Sequence, residues 1–243
     1  MINCKNCGTE FRGKFCPQCG QAAEVGRLTK KYLVKDLLRL FGSTEKGKFF
    51  LMKELFRDPG AAARGYIKGE RKKYYNPVQF YLYTTATILF VTYKLDLTSI
   101  LLAGGSNEEI ELNRRFIAFI FNYINAVEFI ILPLFTFFTF LFFRVSGYNY
   151  SELFVLNTYS SAQRQVVSIV LMLIIFFVPD LLGFMSSISV LFNFSFLVWF
   201  YISFFDKMKK GSVIYRTVIL VLIYYALIYL ILYAVFLIFI MLD

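Results

Sequence analysis

Residues 213–242 read VIYRTVILVLIYYALIYLILYAVFLIFIML and carry a single charged side chain, that of Arg216. As an α-helix this run is about 45 Å long, which exceeds the roughly 30 Å of hydrocarbon that a membrane-spanning helix has to cross. The run is therefore predicted to be a membrane span. The whole chain is strongly apolar: 58% of its 243 residues are hydrophobic, and 30 residues are Phe. This composition excludes an ordinary water-soluble globule.

Four further apolar segments precede this run, so the sequence predicts about five spans in a membrane domain of residues 77–243. The predicted spans lie approximately at 77–93, 116–143, 166–182, 186–205 and 213–242. Only Gly183–Met185 separates the third span from the fourth, which predicts a tight helical hairpin. Leu153–Tyr159 is apolar but too short to span, and we expect it to form a short interfacial or re-entrant helix that Ser151 could cap.

Lysine and arginine residues are concentrated before the first predicted span. Residues 1–76 contain 17 Lys or Arg and 7 Asp or Glu, whereas the rest of the chain carries 9 of each sign. Positively charged segments stay on the cytoplasmic side of a membrane. The predicted location is therefore the cytoplasmic (inner) membrane, with the N-terminus cytoplasmic and the C-terminus outside. The acidic loop 94–115 then lies outside and the basic loop 207–216 inside.

Four cysteines occur within the first 19 residues, in the motifs Cys4-Lys-Asn-Cys7-Gly and Cys16-Pro-Gln-Cys19-Gly. Two intervening residues let both thiolates of a motif reach one metal ion, and the glycine can take the positive φ that brings backbone amides near the sulfurs. No signal peptide precedes the motifs, so a reducing compartment is expected, where a metal site is favoured over disulfides. Residues 1–22 are predicted to form a Cys4 zinc ribbon, with residues 9–15 as a short hairpin.

The predicted metal is a structural Zn²⁺ ion. Four cysteine ligands close the coordination shell and leave no position for water or substrate, so the ion is not expected to be catalytic. Iron is a weaker alternative. A redox switch, in which an oxidant ejects the metal and forms disulfides, is a second one.

Residues 23–76 are predicted to connect the ribbon to the membrane through basic amphipathic helices. Apolar side chains recur at helical spacing around residues 33–41 and again at 49–56, with Lys and Arg largely off these stripes. Asp58-Pro59 predicts a newly capped helix. A soluble helical hairpin packed on the ribbon is the alternative to a location on the membrane surface. A basic cluster at the end of the segment is expected to contact anionic lipid headgroups: Arg71, Lys72 and Lys73.

Polar residues within the predicted spans mark candidate functional positions, because polar groups are costly to place in lipid. Glu128 lies near the middle of the second span, with Asn122 and Asn125 at helical spacing on roughly the same face. It could act as a proton, ion or headgroup relay, or it could be a protonated acid hydrogen-bonded to a neighbouring helix. The chain has no His and no HExxH or GxSxG motif, so no catalytic residue is predicted and we do not expect an enzyme.

The order of these features resembles a known family. Two CxxCG motifs, a basic amphipathic region and the sequence Lys72-Lys73-Tyr74-Tyr75-Asn76-Pro77 ahead of a multi-helix membrane domain are similar to the bacterial family called domain of unknown function 3667. That resemblance implies a zinc ribbon on a membrane domain and no particular activity. The membrane part is also similar in layout to the Yip1 family, which implies an organiser of membranes that works with protein partners.

The sequence thus predicts an all-α polytopic membrane protein with an N-terminal zinc ribbon and basic amphipathic helices. The expected function is a membrane scaffold or adaptor whose ribbon docks a cytoplasmic partner or lipid. The alternative is a transporter, channel or lipid-moving protein that uses Glu128. The expected partners are the bilayer with its anionic headgroups and a cytoplasmic protein, and self-association is left open. Nucleic acid is not expected, because some twenty residues offer it too little surface.

Overall fold

The computed structural model describes residues 1–32, 48–95 and 108–242. Within these ranges the chain forms seven α-helices of ten residues or more and one two-stranded sheet. The sheet consists of β1 (Ile2–Asn3) and β2 (Glu10–Phe11). The helices are α1 (Lys48–Arg57), α2 (Pro59–Lys68), α3 (Pro77–Leu95), α4 (Glu108–Phe142), α5 (Tyr150–Phe177), α6 (Leu182–Phe204) and α7 (Lys210–Leu242).

Helix α5 occupies the centre of the helical bundle. It packs against α2, α3, α4 and α6, while α7 packs against α4 and α6. Nearly every residue from Ser151 to Gln165 is buried. The polar side chains of this half of α5 therefore face protein rather than lipid or water.

Helix α5 begins at Tyr150 and continues unbroken for 28 residues. Asn149, and not Ser151, caps it: Asn149 Oδ1 accepts a hydrogen bond from the Glu152 N–H at 3.0 Å, and Glu152 Oε2 accepts one from the Asn149 N–H at 2.8 Å. The prediction of a separate short helix at 153–159, before a span that begins at 166, is therefore wrong. The polar residues between the two apolar stretches do not interrupt the helix, because neighbouring helices bury them.

Three helices of the described chain are long and apolar enough to cross a membrane: Tyr150–Phe177, Pro179–Phe204 and Lys210–Ile238. Val127–Phe142 is a shorter apolar helical segment. These helices indicate an integral membrane protein. They correspond to the last three of the five predicted spans, and the first two stay predictions.

The connection between α5 and α6 is a short 3₁₀ turn at Pro179–Leu181. Proline has no N–H to continue the helical hydrogen bonds and restricts the residue before it, so α5 ends at this point. The two helices pack side by side, as the predicted hairpin requires. Its turn was placed wrongly, however, because Gly183–Met185 belong to α6.

Helices α1 and α2 pack into the same core as the long helices. The side chains of Leu51, Leu55 and Tyr66 are buried there. A location of the connector on the membrane surface stays a prediction, and the apolar stripe predicted around residues 33–41 lies outside the described residues.

Helix α2 has the start that the sequence predicted. Asp58 caps it by accepting a hydrogen bond from the Ala61 N–H at 3.0 Å, and Pro59 is its first residue. Helix α2 then approaches α6 at Gly60, where an added Cβ would lie 2.2 Å from the carbonyl carbon of Ser203. A glycine is required at this crossing because no side chain fits between the two backbones.

The first 22 residues form a small β unit. Strands β1 and β2 pair antiparallel, with Ile2 opposite Phe11 and Asn3 opposite Glu10, and Phe15 forms an isolated bridge with Ala22. The predicted hairpin across residues 9–15 is therefore wrong. The paired strands instead flank the first CxxC motif, whose own turn reverses the chain.

Candidate metal centre and its contacts with the helices

The four cysteines predicted as metal ligands converge in the fold. The Sγ atoms of Cys4, Cys7, Cys16 and Cys19 all lie within 4.8 Å of one another. The Sγ atoms of Cys4 and Cys19 are 3.6 Å apart, and so are those of Cys7 and Cys16. Cys7 is exposed and the other three thiols are buried.

The two CxxCG motifs repeat one backbone geometry. In the first motif the Cys4 N–H donates to the Thr9 carbonyl at 3.0 Å, and the Gly8 N–H donates to the Cys4 carbonyl at 2.9 Å. Cys16 and Gly20 donate the equivalent hydrogen bonds in the second motif. Gly8 and Gly20 have φ values of 79° and 67°, the positive region that the sequence predicted for them. Two turns of the same shape thus bring their thiols to one point.

The four thiols fit a tetrahedral metal ion. Thiolates bound at about 2.3 Å around one zinc ion would lie about 3.8 Å from each other. The observed 3.6 Å between paired sulfurs is close to that value. All four ligands would come from this chain, so an ion held here would have no open coordination position.

The environments of two thiols differ in a way that affects their protonation. The hydrogen bond between Cys7 Sγ and Thr9 Oγ1, together with the backbone N–H of Thr9, lowers the pKa of Cys7 to about 6. Burial raises the pKa of Cys19 to about 12. Because metals bind the thiolate, an incoming ion would displace a proton from Cys19 more than from Cys7.

The ribbon is held against the turn that follows α2. Asn6 Oδ1 accepts hydrogen bonds from the backbone N–H groups of Lys72 at 3.2 Å and Lys73 at 2.9 Å. Gln21 Oε1 accepts one from the Arg71 N–H at 3.1 Å. Each contact uses a residue within a CxxCG motif or immediately after it, so the two cysteine turns are also the docking turns.

Residues 23–28, which we call the strap, leave the ribbon and contact the start of α5. The Arg27 guanidinium donates to both carboxylate oxygens of Glu152, at 2.7 and 2.8 Å, and to the Gly147 carbonyl at 2.8 Å. Asn149 Nδ2 donates to the Leu28 carbonyl at 3.1 Å, and the Leu28 side chain is fully buried. The strap therefore joins the ribbon to the helical bundle through an ion pair, hydrogen bonds and an apolar anchor.

Two of the three residues predicted to contact lipid make polar contacts within the protein. The Arg71 guanidinium donates to the Gly26 carbonyl at 2.7 Å and lies 4.2 Å from the ring centre of Tyr32. The Lys73 ammonium forms a 2.8 Å ion pair with Glu70. The Lys72 side chain is partly exposed. Contact of this cluster with lipid stays a prediction.

The predicted intramembrane acid, Glu128, is paired. Its Oε1 accepts a hydrogen bond from Arg164 Nη2 at 2.9 Å, and both side chains are largely buried. Arg164 also donates to Ser161 Oγ at 3.0 Å. The side chains of Asn122 and Asn125 lie outside the described part, so their placement on the face of Glu128 stays a prediction.

Arg164 was not predicted as the partner of Glu128, since it falls between the predicted spans 116–143 and 166–182. The structure corrects this: Arg164 lies midway along α5, where α4 supplies the acid. The available signal was an acid within one apolar span and a base just before another, since opposite charges in a membrane domain tend to pair.

Two further polar clusters surround α5. Gln165 Oε1 accepts hydrogen bonds from the Thr84 and Thr85 hydroxyls of α3, at 2.7 and 3.1 Å. Asn157 accepts a 2.6 Å hydrogen bond from the Tyr201 hydroxyl of α6 and donates to Thr139 Oγ1 of α4 at 3.1 Å. These hydrogen bonds connect α5 to α3, α4 and α6. The sequence did not predict them.

Comparison with known proteins reaches only part of the chain. The family model described as "Protein of unknown function (DUF3667)" matches residues 47–90. The chain is similar to that family there. The matched range includes α1, α2 and most of α3, the segment that carries the Arg71–Lys73 cluster. No curated protein and no solved structure matches the chain. The likeness in layout to the Yip1 family stays a prediction.

Proposed function

We propose that the chain is a non-enzymatic integral membrane scaffold whose four cysteines hold one structural zinc ion. The observation that supports this most is the convergence of four Sγ atoms within 4.8 Å, on two turns whose neighbouring side chains bind the helical domain. A closed shell of four thiolates gives zinc no reactive position. The metal would then stabilise the fold of the ribbon and the position of its docking turns, and it would take no part in a reaction.

In this proposal the ribbon lies on the cytoplasmic side of an inner membrane and the C-terminus lies outside. The cysteines would stay reduced there. Exposed basic side chains support the orientation: Lys207, Lys209 and Lys210 lie at the end of the bundle that the strap contacts, where α6 ends and α7 begins. Clustered basic residues favour the cytoplasmic face.

The proposed scaffold offers a free apolar surface on the ribbon. While Asn6 and Gln21 face the helices, the side chains of Ile2 and Phe15 are 40% and 66% exposed. Large apolar side chains exposed on one small unit are candidates for contact with another protein. We propose that a cytoplasmic protein binds this surface, and that Lys72 contributes the lipid contact expected of the basic cluster.

Metal analysis and crosslinking test the proposal together. The purified protein is expected to contain one zinc ion per chain, and the Cys4→Ser/Cys16→Ser variant none. Proteins crosslinked to the ribbon in intact membranes are expected to be lost in Phe15→Ser, while Arg12→Gln, a change at an exposed ribbon residue, retains them. Zinc in the double cysteine variant would contradict the metal site. Identical crosslinked partners in wild type and Phe15→Ser would contradict the docking surface.

A transporter or lipid-moving protein is the second candidate function. It is supported by three buried polar atoms near the Glu128–Arg164 pair that have no partner among the described residues: Tyr81 Oη, Arg164 Nε and Gln165 Nε2. Buried polar atoms without partners are the kind that line a polar path for an ion or a headgroup through a membrane domain. Flux or lipid scrambling by purified wild type in liposomes, and its loss in Glu128→Gln, would support this function. Equal background rates from both proteins would exclude it.

A further inference from the structure

A cleft of about 360 Å³ opens at one end of the helical bundle. Its walls are the turns between α4 and α5, residues 145–148, and between α6 and α7, residues 204–208. Arg27 of the strap and Glu152 complete the lining. The cleft thus lies where two helices end, two begin, and the ribbon is attached.

This end of the bundle has the features of a membrane–water interface. Apolar spans end at Phe204 and begin at Tyr150 and Lys210, directly beside the cleft. Trp199 and Tyr215, one to two turns further into the spans, are 39% and 68% exposed. Amphipathic aromatic side chains at this depth, with basic residues beyond them, are typical of the headgroup layer. The cleft therefore opens at the level of lipid headgroups.

Two residues of the cleft lining that are neighbours in the sequence carry opposite charges, Asp206 and Lys207. Lys207 is exposed and its ammonium forms no ion pair or hydrogen bond with any residue in the described ranges. The Asp206 carboxylate is 51% exposed and its only ion pair among those residues is a 3.5 Å contact with Arg64. Glu152, by contrast, is engaged by Arg27 through both oxygens. Lys207 and Asp206 are therefore the groups available to a ligand.

Lys207 and Asp206, adjacent in the sequence and opposite in charge, are complementary to a zwitterion, which carries one charge of each sign. In the headgroup of an amine-bearing phospholipid, a phosphate and a primary ammonium are separated by two carbon atoms. Lys207 can bind the phosphate and Asp206 the ammonium, each through a charge-assisted hydrogen bond. Val145, 73% exposed at the rim, offers an apolar surface to the glycerol and acyl part of such a molecule.

We propose that this cleft binds the headgroup of an amine-bearing zwitterionic phospholipid, with its phosphate at Lys207 and its ammonium at Asp206. The inference rests on the proposed membrane location and does not depend on the proposed partner surface of the ribbon. A lipid with a phosphate and no amine would use Lys207 alone. A lipid whose ammonium is fully methylated would have no N–H to donate to Asp206.

Native mass spectrometry of delipidated full-length protein tests the proposal. The probes are phosphatidylethanolamine, phosphatidylglycerol and phosphatidylcholine with the same acyl chains, and soluble glycerophosphoethanolamine as a competitor. Wild type is expected to retain phosphatidylethanolamine about tenfold better than the other two lipids, the ratio that one charge-assisted hydrogen bond provides. Lys207→Gln should weaken binding of phosphatidylethanolamine and phosphatidylglycerol alike, whereas Asp206→Asn should weaken only phosphatidylethanolamine.

Lys209→Gln is the matched control, because Lys209 is an exposed neighbour that does not line the cleft. It should bind all three lipids as wild type does. Equal retention of phosphatidylethanolamine by Lys207→Gln and Lys209→Gln would overturn the site. Equal losses of phosphatidylethanolamine and phosphatidylglycerol in Asp206→Asn would overturn the role of the amine. Competition by the soluble headgroup at the same concentration as the lipid would overturn the assignment to a lipid.

Zinc content, membrane insertion and thermal unfolding of the same samples distinguish this inference from the proposed function. A Lys207→Gln or Asp206→Asn variant that is inserted, folds and holds zinc, but binds the lipids as wild type does, contradicts the cleft alone. Failure of wild type to insert into membranes would instead contradict the location on which both proposals rest.

Discussion

At the scale of single residues, the Glu128–Arg164 pair most changes the interpretation of the membrane domain. Arg164 lies about 21 Å along α5 from Tyr150, at 1.5 Å per residue. A charged side chain at that depth needs a counter-charge. Glu128 supplies it from α4 at 2.9 Å, and the two together are electrically neutral. In the structure Glu128 is therefore the counter-charge of Arg164.

Removing one member of this pair should destabilise the protein more than removing both. Glu128→Gln leaves a buried guanidinium without its anion, and we expect the free energy of unfolding to fall by about 3–5 kcal/mol. Unfolding of the protein in detergent, followed by circular dichroism, measures the change. Asp180→Asn, at an exposed acid in the turn before α6, should have little effect.

The double variant Glu128→Gln/Arg164→Gln provides the decisive comparison. It removes both charges and allows the two amides to hydrogen-bond, so it should recover a large part of the stability lost in Glu128→Gln. If the double variant is no more stable than the single one, the pair does not act as an ion pair.

At the scale of elements, the crossing of α2 and α6 fixes the connector on the bundle. The Gly60 N–H donates to Ser203 Oγ at 3.0 Å, and the same hydroxyl donates to the capping residue Asp58 at 2.5 Å. Arg64 donates to the Phe204 carbonyl at 3.1 Å and also to that of Ser203. The end of α6, whose last carbonyls have no partner in their own helix, is thus satisfied by α2.

Gly60→Ala should separate these two helices. Its Cβ would lie 2.2 Å from the Ser203 carbonyl carbon, where only backbone movement can relieve the overlap. Such overpacking costs about 1–3 kcal/mol. The matched change Gly211→Ala, in α7 with no atom within 4 Å of the new Cβ, should be neutral or stabilising because alanine favours helix. Equal melting temperatures of the two variants in thermal unfolding would contradict the close contact between α2 and α6.

At the scale of the whole molecule, the ribbon closes one end of the bundle. Its docking turns bind the segment after α2, and its strap binds the start of α5 through Arg27. The Lys5 ammonium further ties the ribbon to the strap by donating to the Val25 carbonyl at 2.8 Å. Because these contacts begin at the cysteine turns, loss of the proposed metal ion should release the ribbon and the strap together.

Removal of the proposed zinc ion by a chelator should therefore expose the N-terminal region to trypsin while the helices stay folded. A ribbon of about twenty residues has no core of its own to replace the metal. We expect early cleavage at Arg12 or Lys14 and at Arg27, with a protected fragment containing α1 to α7. The Arg27→Gln variant with zinc bound should lose the strap contact and keep the ribbon resistant. Identical digestion patterns with and without chelator would contradict the role of the metal.

The sequence predicted those features of the candidate site that depend on residues close together in the chain. The four cysteines, the positive φ of Gly8 and Gly20 and the Asp58 cap all follow from short motifs, and the structure confirms their geometry. The pairing of Arg27 with Glu152, 125 residues apart, has no local signal. The break predicted within α5 was wrong for a related reason: polar residues near 160 indicate a loop only when nothing buries them.

The amino-acid sequence by itself determined the membrane character, the cysteine cluster and the concentration of positive charge before the first predicted span, because each depends on composition or on residues within one turn of each other. Only the tertiary structure decided which polar groups meet. It paired Glu128 with Arg164, turned Arg71 toward the strap and placed Lys207 beside the cleft. The physical reason is that burial and charge pairing depend on which helices become neighbours, and no short stretch of sequence contains that information.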